Sequence, residues 1–267
     1  MDVTAVDRVA ISGDTLLHRA APASKLVATG LLLTAVVTVD SPLVAAGLAL
    51  SLVGAAAAVR LPLRQMLPLA LYPALFAVVF AFAAAPGPAT GALFVLKAVT
   101  AALAVVTLMF STPYPQVFAP LQRVTPTIVG DALLMTYRSL FILAEKFSDL
   151  LRAVRLRSGI SARQPVRAAR ATTRALGGLL LYSLDLSQRE YDILYLRGYD
   201  GGMRVRPMAS TDRSADTAAL LYATLALAVV VAFRIFAHDL GGYAWLVAAA
   251  GVVDLGTGLL IGRRAPR

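Results

Sequence analysis

Two stretches of the chain end in nearly the same residues, Leu156-Arg157-Ser158-Gly159 and Leu196-Arg197-Gly198. An arginine in the last turn of a helix opposes the negative end of the helix dipole, and a glycine just beyond takes the left-handed conformation that closes the helix. The same guanidinium at an exposed tip can offer five donors to carboxylates and carbonyls in a partner's groove. Capping and docking are compatible, and the repetition favours docking on two partner surfaces. Other chemistry finds few residues to carry it. The chain has no cysteine, which removes disulfides, thiolate metal sites and cysteine nucleophiles. His18 and His238 are its two histidines, and neither lies near a cluster of carboxylates, so no metal site and no catalytic residue is expected. There is no Gly-x-x-x-x-Gly-Lys-Ser/Thr phosphate loop, so no nucleotide chemistry is expected of this chain.

The elements that must position the two arginines are helical. From Asp131 to Arg157, Leu133, Tyr137, Leu140, Phe141, Ala144 and Phe147 recur at three- and four-residue spacing, as in a long amphipathic helix. Pro113, Pro115, Pro120 and Pro126 break the chain before it. A polar, basic connection is expected over Ser161 to Arg174. A second helical stretch then takes in Leu176 through Tyr195 and ends at Arg197-Gly198, followed by Tyr199-Asp200-Gly201-Gly202.

The rest of the chain reads as membrane. Of its 267 residues 58% are hydrophobic and 15% charged, well away from the quarter or so charged in a soluble domain. Spans are expected over Leu26–Val39, Leu43–Val59, Met66–Ala84, Ala92–Phe110, Ala218–Phe236 and Tyr243–Ile261, six in all. Pro86-Gly87-Pro88-Ala89-Thr90-Gly91 separates the third from the fourth. Asp254, within the last span, is the one acidic residue near lipid depth, and close helix packing at Gly251, Gly256 and Gly258 is the modest account of its setting. Arg60 and Arg64 fall in the second loop and Arg263, Arg264 and Arg267 in the tail, so the positive-inside rule puts both termini in the cytoplasm. The expected organisation is an all-α polytopic membrane protein. Residues 1–110 form a four-span region, 111–213 a cytoplasmic pair of long helices, and 214–267 a two-span hairpin. The formal charge of +10 then reports orientation and attraction to lipid headgroups, with no call for nucleic acid.

The cytoplasmic region resembles the transmembrane T component of energy-coupling factor (ECF) importers, and more closely the CbiQ-type proteins of the cobalt/nickel branch. Pro22-Ala23-Ser24-Lys25-Leu26 resembles that family's entry to its first span, and the two long helices ending in arginine motifs resemble its coupling helices. Arg189 to Gly201, ending Leu-Arg-Gly-Tyr-Asp-Gly, resembles the close of its second coupling helix. The first motif departs from the family's usual Arg-Gly by an inserted serine, Ser158. The resemblance implies a non-catalytic subunit in the cell membrane that joins two cytoplasmic ABC ATPases to a membrane-embedded substrate-binding (S) subunit. ATP and Mg would be bound by the ATPases and no cofactor by this chain. It implies ATPase docking through Arg157, Ser158, Gly159, Arg197 and Gly198, supported by Tyr199, Asp200 and Gly201, with cobalt or nickel as cargo. The rival readings are a T component shared by vitamin-specific subunits and a stand-alone transporter.

Overall fold

A computed structural model describes residues 16–122, 125–158, 165–202, 212–236 and 241–264. All regular structure among them is helical: α1 (Leu16–Arg19), α2 (Pro22–Thr38), α3 (Pro42–Ala58), α4 (Leu63–Ala84), α5 (Pro88–Ser111), α6 (Tyr114–Leu121), α7 (Thr127–Ser158), α8 (Pro165–Leu196), α9 (Arg213–Ile235) and α10 (Ala244–Arg264), with a short 3-10 turn at Gly241–Tyr243.

Proline sets several of the starts. Pro22, Pro42, Pro88 and Pro165 each open a helix, where a missing N–H costs nothing and the fixed φ suits the first turn. This moves boundaries away from the apolar runs. α2 begins at Pro22 rather than Leu26, and α5 at Pro88 rather than Ala92, so only residues 85–87 turn between α4 and α5. The largest correction is in the expected basic connection, Ser161 to Arg174. Its residues from Pro165 onward belong to α8, because alanine and arginine are strong helix formers once a proline has opened the helix. Residues 161–164 lie outside the described residues.

Five described helices are long and apolar enough to cross a membrane: α4, α5, Thr127–Leu156 of α7, α9 and Ala244–Ile261 of α10. The α7 stretch is the least apolar of the five. α2 and α3 are apolar but have 17 residues each, about 25 Å at the helical rise. The chain is thus an all-α, multi-pass membrane protein.

The chain divides into two units, Met1–Val117 with Pro207–Arg267, and Phe118–Arg206. In the first, two buried clusters form the core. Ala28, Leu32, Leu52, Met66, Phe110 and Ala223 meet in one, and Val36, Val39, Val44, Leu48 and Val230 in the other. Helix directions follow from contacts at both ends. α2 and α9 run parallel, since the Ala21 N–H donates to Asp216 Oδ1 at 2.6 Å near their starts and Arg234 donates to the Thr38 carbonyl at 3.1 Å near their ends. α2 and α5 run antiparallel, tied by Lys25 to the Ser111 carbonyl at 2.9 Å and by Lys97 to the Val37 carbonyl at 3.0 Å. α3 and α10 are parallel and pack backbone to backbone. A Cβ on Gly47 would lie 2.5 Å from the Val247 carbonyl oxygen, and one on Gly54 2.6 Å from that of Asp254, while Gly251 and Gly258 sit against the backbones of Gly47 and Gly54. Small residues allow such an approach, which van der Waals contact alone must hold in lipid. The starts of α2, α4 and α9 and the ends of α3, α5 and α10 therefore share one face of this unit.

Valine at Gly54 must force α3 and α10 apart, whereas Gly256 has open space around the position of a Cβ. Gly54→Val is expected to lose about 1–3 kcal/mol by overpacking, read as a lower melting temperature of the detergent-solubilised chain. Gly256→Ala is expected to match the parent.

Candidate functional site

In the second unit α7 and α8 pair antiparallel, and polar contacts mark the register. Tyr199, just past α8, donates to Asp131 Oδ2 near the start of α7. Ser139 donates to Glu190 Oε2 at 3.0 Å, and Arg138 lies 3.8 Å from the other oxygen of the same carboxylate. Further along, the Lys146 ammonium stands 5.2 Å from the centre of the Tyr182 ring, within reach of a cation–π attraction.

The end of α8 shows why Arg197 is presented as a tip. The Tyr199 N–H reaches the Leu194 carbonyl and the Gly198 N–H the Tyr195 carbonyl, both at 3.0 Å, with Gly198 at φ +71°. This is the paired closure in which a left-handed residue lets the chain turn back on the last helical carbonyls. Capping is therefore satisfied by backbone and glycine. The Arg197 side chain is exposed, and among the described residues it forms no hydrogen bond or ion pair. Leu196 beside it is 83% exposed.

Having turned, the chain is fastened. Asp131 is only 5% exposed, and its bond with the Tyr199 hydroxyl raises the pKa of that phenol above its ordinary value. The hydroxyl therefore keeps its proton throughout the neutral range. Gly201, at φ +98°, lets the chain turn again, and Asp200 between them is exposed. Of the expected supporting residues, Tyr199 makes the contact, and Asp131 is the partner that the sequence pattern did not single out. The two lie far apart in sequence with no periodic relation, so no local signal pairs them.

Arg157 and Ser158 are the last two residues of α7, and Gly159 lies outside the described residues. From Asp131, which the Tyr199 bond sets beside the end of α8, α7 runs unbroken to Arg157, about 40 Å at 1.5 Å per residue. The structure thus does not bring the two arginines together. It holds them at opposite ends of one helix pair.

Two cations lie within the expected spans of the first unit. Lys97 on α5 and Arg234 on α9 both donate to carbonyls in the last turn of α2, and Arg234 also lies 3.6 Å from Asp40. Two positive groups on a helix carboxyl end match its dipole, and here they tie three helices at one level. Lys25, 4% exposed, does the same for the end of α5 through the Ser111 carbonyl. Among the described residues no three His, Cys, Asp or Glu side chains cluster, and His238 lies outside those residues.

Apolar helices long enough to cross a membrane, packed on one another, together with a braced helix pair whose Arg197 has no side-chain partner among the described residues, define the class as an all-α, multi-pass membrane protein. Residues 13–208 match the family model for CbiQ, described as cobalt transport protein. The cobalt transport protein CbiQ of Rhodobacter capsulatus is 31% identical over 230 residues, covering 79% of this chain and 91% of the relative. The chain belongs to the CbiQ family, and its role is that of the non-catalytic transmembrane T component of an ECF-type importer.

Removing the Tyr199 hydroxyl tests the fastening. Tyr199→Phe and Asp131→Ala are each expected to speed amide exchange over residues 194–202 by roughly tenfold to a hundredfold, since a hydrogen bond to a charged group contributes about 1.5–3 kcal/mol. The double variant is expected to exchange no faster than the singles. Additive effects would mean that the two residues act separately.

Proposed function

We propose that this chain couples two cytoplasmic ABC ATPases to a membrane-embedded substrate-binding subunit, with Arg157-Ser158-Gly159 docking in one ATPase and Arg197-Gly198 in the other. What carries the assignment is the spacing of the tips: about 40 Å along a continuous helix, too far for one groove and suited to two subunits side by side. Closure of the ATPases around ATP and Mg would change the distance between the docked arginines. A helix pair braced by Asp131, Glu190 and Lys146 would carry that change as a rigid body.

Residues 111–213 are the cytoplasmic coupling region in this reading, and both termini are cytoplasmic. Six helices, α2 to α5 with α9 and α10, cross the membrane, while α7 lies outside it. Arg60, Arg64, Arg213, Arg263 and Arg264 all belong to the face shared by the starts of α2, α4 and α9, as the positive-inside rule requires of a cytoplasmic face. On α7 and α8 the exposed apolar residues Leu140, Leu180, Leu181 and Leu184 offer a surface for lipid headgroups and the substrate subunit. The cargo is cobalt or nickel, favoured over vitamins by the name of the Rhodobacter relative.

Arg157→Glu or Arg197→Glu alone is expected to lower ATPase co-purification several-fold, and the double variant more than tenfold, with loss of Co2+ or Ni2+ uptake by cells expressing the whole transporter. Retained assembly and uptake in the double variant would overturn the docking assignment.

A further inference from the structure

α9 and α10 pack on different helices, α2 and α3, and a groove of about 640 Å³ opens between them. Its walls include Tyr222, Leu225 and Val229 of α9 and Val247, Ala250 and Asp254 of α10, and its floor is the Gly47 to Ser51 stretch of α3. Asp254 stands at the midpoint of α10 and is exposed. Among the described residues its carboxylate accepts no hydrogen bond and forms no ion pair. Two hydroxyls that line the same groove, those of Ser51 and Tyr222, are already committed. Ser51 donates to the Leu48 carbonyl at 3.0 Å, so its oxygen accepts the Tyr222 hydroxyl proton, also at 3.0 Å.

We propose that this groove seats a membrane-spanning helix of another subunit, one that carries a lysine or arginine at mid-membrane depth to pair with Asp254. An acidic group inside a bilayer needs a partner or water. A lipid acyl chain in the groove has no donor to offer the carboxylate. A second copy of this chain is poorly equipped, because its cations within these helices, Lys25, Lys97 and Arg234, already bond to the carboxyl ends of α5 and α2. A basic side chain on a foreign helix supplies the missing charge, and the groove supplies apolar walls for the rest of that helix. The inference concerns the first unit alone and does not depend on docking by Arg157 and Arg197.

The absence of cysteine makes the test direct. Ala250→Cys places a thiol in the groove wall, and Val253→Cys places one outside the groove on the 62% exposed neighbouring surface. Each is labelled with a maleimide benzophenone in membranes that contain the whole transporter, then irradiated. The expected result is a protein adduct from position 250, at least fivefold stronger than from 253, mapping to a membrane-spanning segment that contains Lys or Arg. Adding Asp254→Leu should lower that adduct at least tenfold, and Asp254→Asn several-fold, while the ATPases still co-purify. An adduct with lipid only, with a second copy of this chain or with a segment lacking a basic residue overturns the proposal. So does no adduct at all, or a yield indifferent to both Asp254 variants. Loss of ATPase co-purification through the arginine variants, with the adduct intact, would separate the two docking events.

Discussion

The ammonium group of Lys25 has almost no access to solvent and holds the end of one helix to the start of another. Burying a charge is costly unless a strong acceptor receives it. The acceptor here is the carbonyl of Ser111, the last residue of α5, where the helix dipole concentrates negative charge. Four residues earlier the Ala21 N–H is taken by Asp216, in the first turn of α9. The chain leaves the membrane unit after α5 and returns to it at α9, so this small polar node fixes both points of departure. The rest of the arrangement follows from it. α9 must run beside α2 in the same direction, and α10 must come back beside α3.

The sequence made the helices and the two arginine ends legible because those signals are local. A charge-free apolar run of sufficient length has few alternatives to a span, and Leu-Arg followed by a small residue is a recognisable place for a helix to stop. What stayed hidden was long-range or positional. Lys97 and Arg234 lie within apolar runs, and nothing near them in sequence marks the carbonyls of Val37 and Thr38 as their acceptors. Gly251 and Gly258 could be read as packing residues, but not that Gly47 and Gly54 would be their partners. The early start of α8 was obscured because a basic stretch reads as solvated whether or not it is helical. Asp131 and Tyr199 belong to the same class: neither has a neighbour in sequence that marks the other.

Arg60 and Arg197 illustrate how one residue type serves unlike helix ends. At the close of α3 an arginine, Arg60, itself adopts the left-handed conformation at φ 59°, with the Leu61 N–H reaching the Ala56 carbonyl. At the close of α8 glycine takes that position, and Arg197 precedes it in the final helical turn. A side chain in the first arrangement accepts backbone strain at the turn. In the second the glycine absorbs the conformation, which leaves the arginine beside it with its whole length available to a partner.

The parallel pairing of α3 with α10 has a consequence for how the protein is made. The first hairpin leaves the ribosome long before its partner, since all of α4 to α9 must be synthesised in between. During that interval the seam of Gly47 and Gly54 has no backbone to pack against and must face lipid or a chaperone. Contacts between the two ends of a chain form late and slowly. The membrane unit therefore matures only when the last helix inserts, and a ribosome that stalls after the second unit would release a chain whose arginine tips are complete but whose membrane core has not closed.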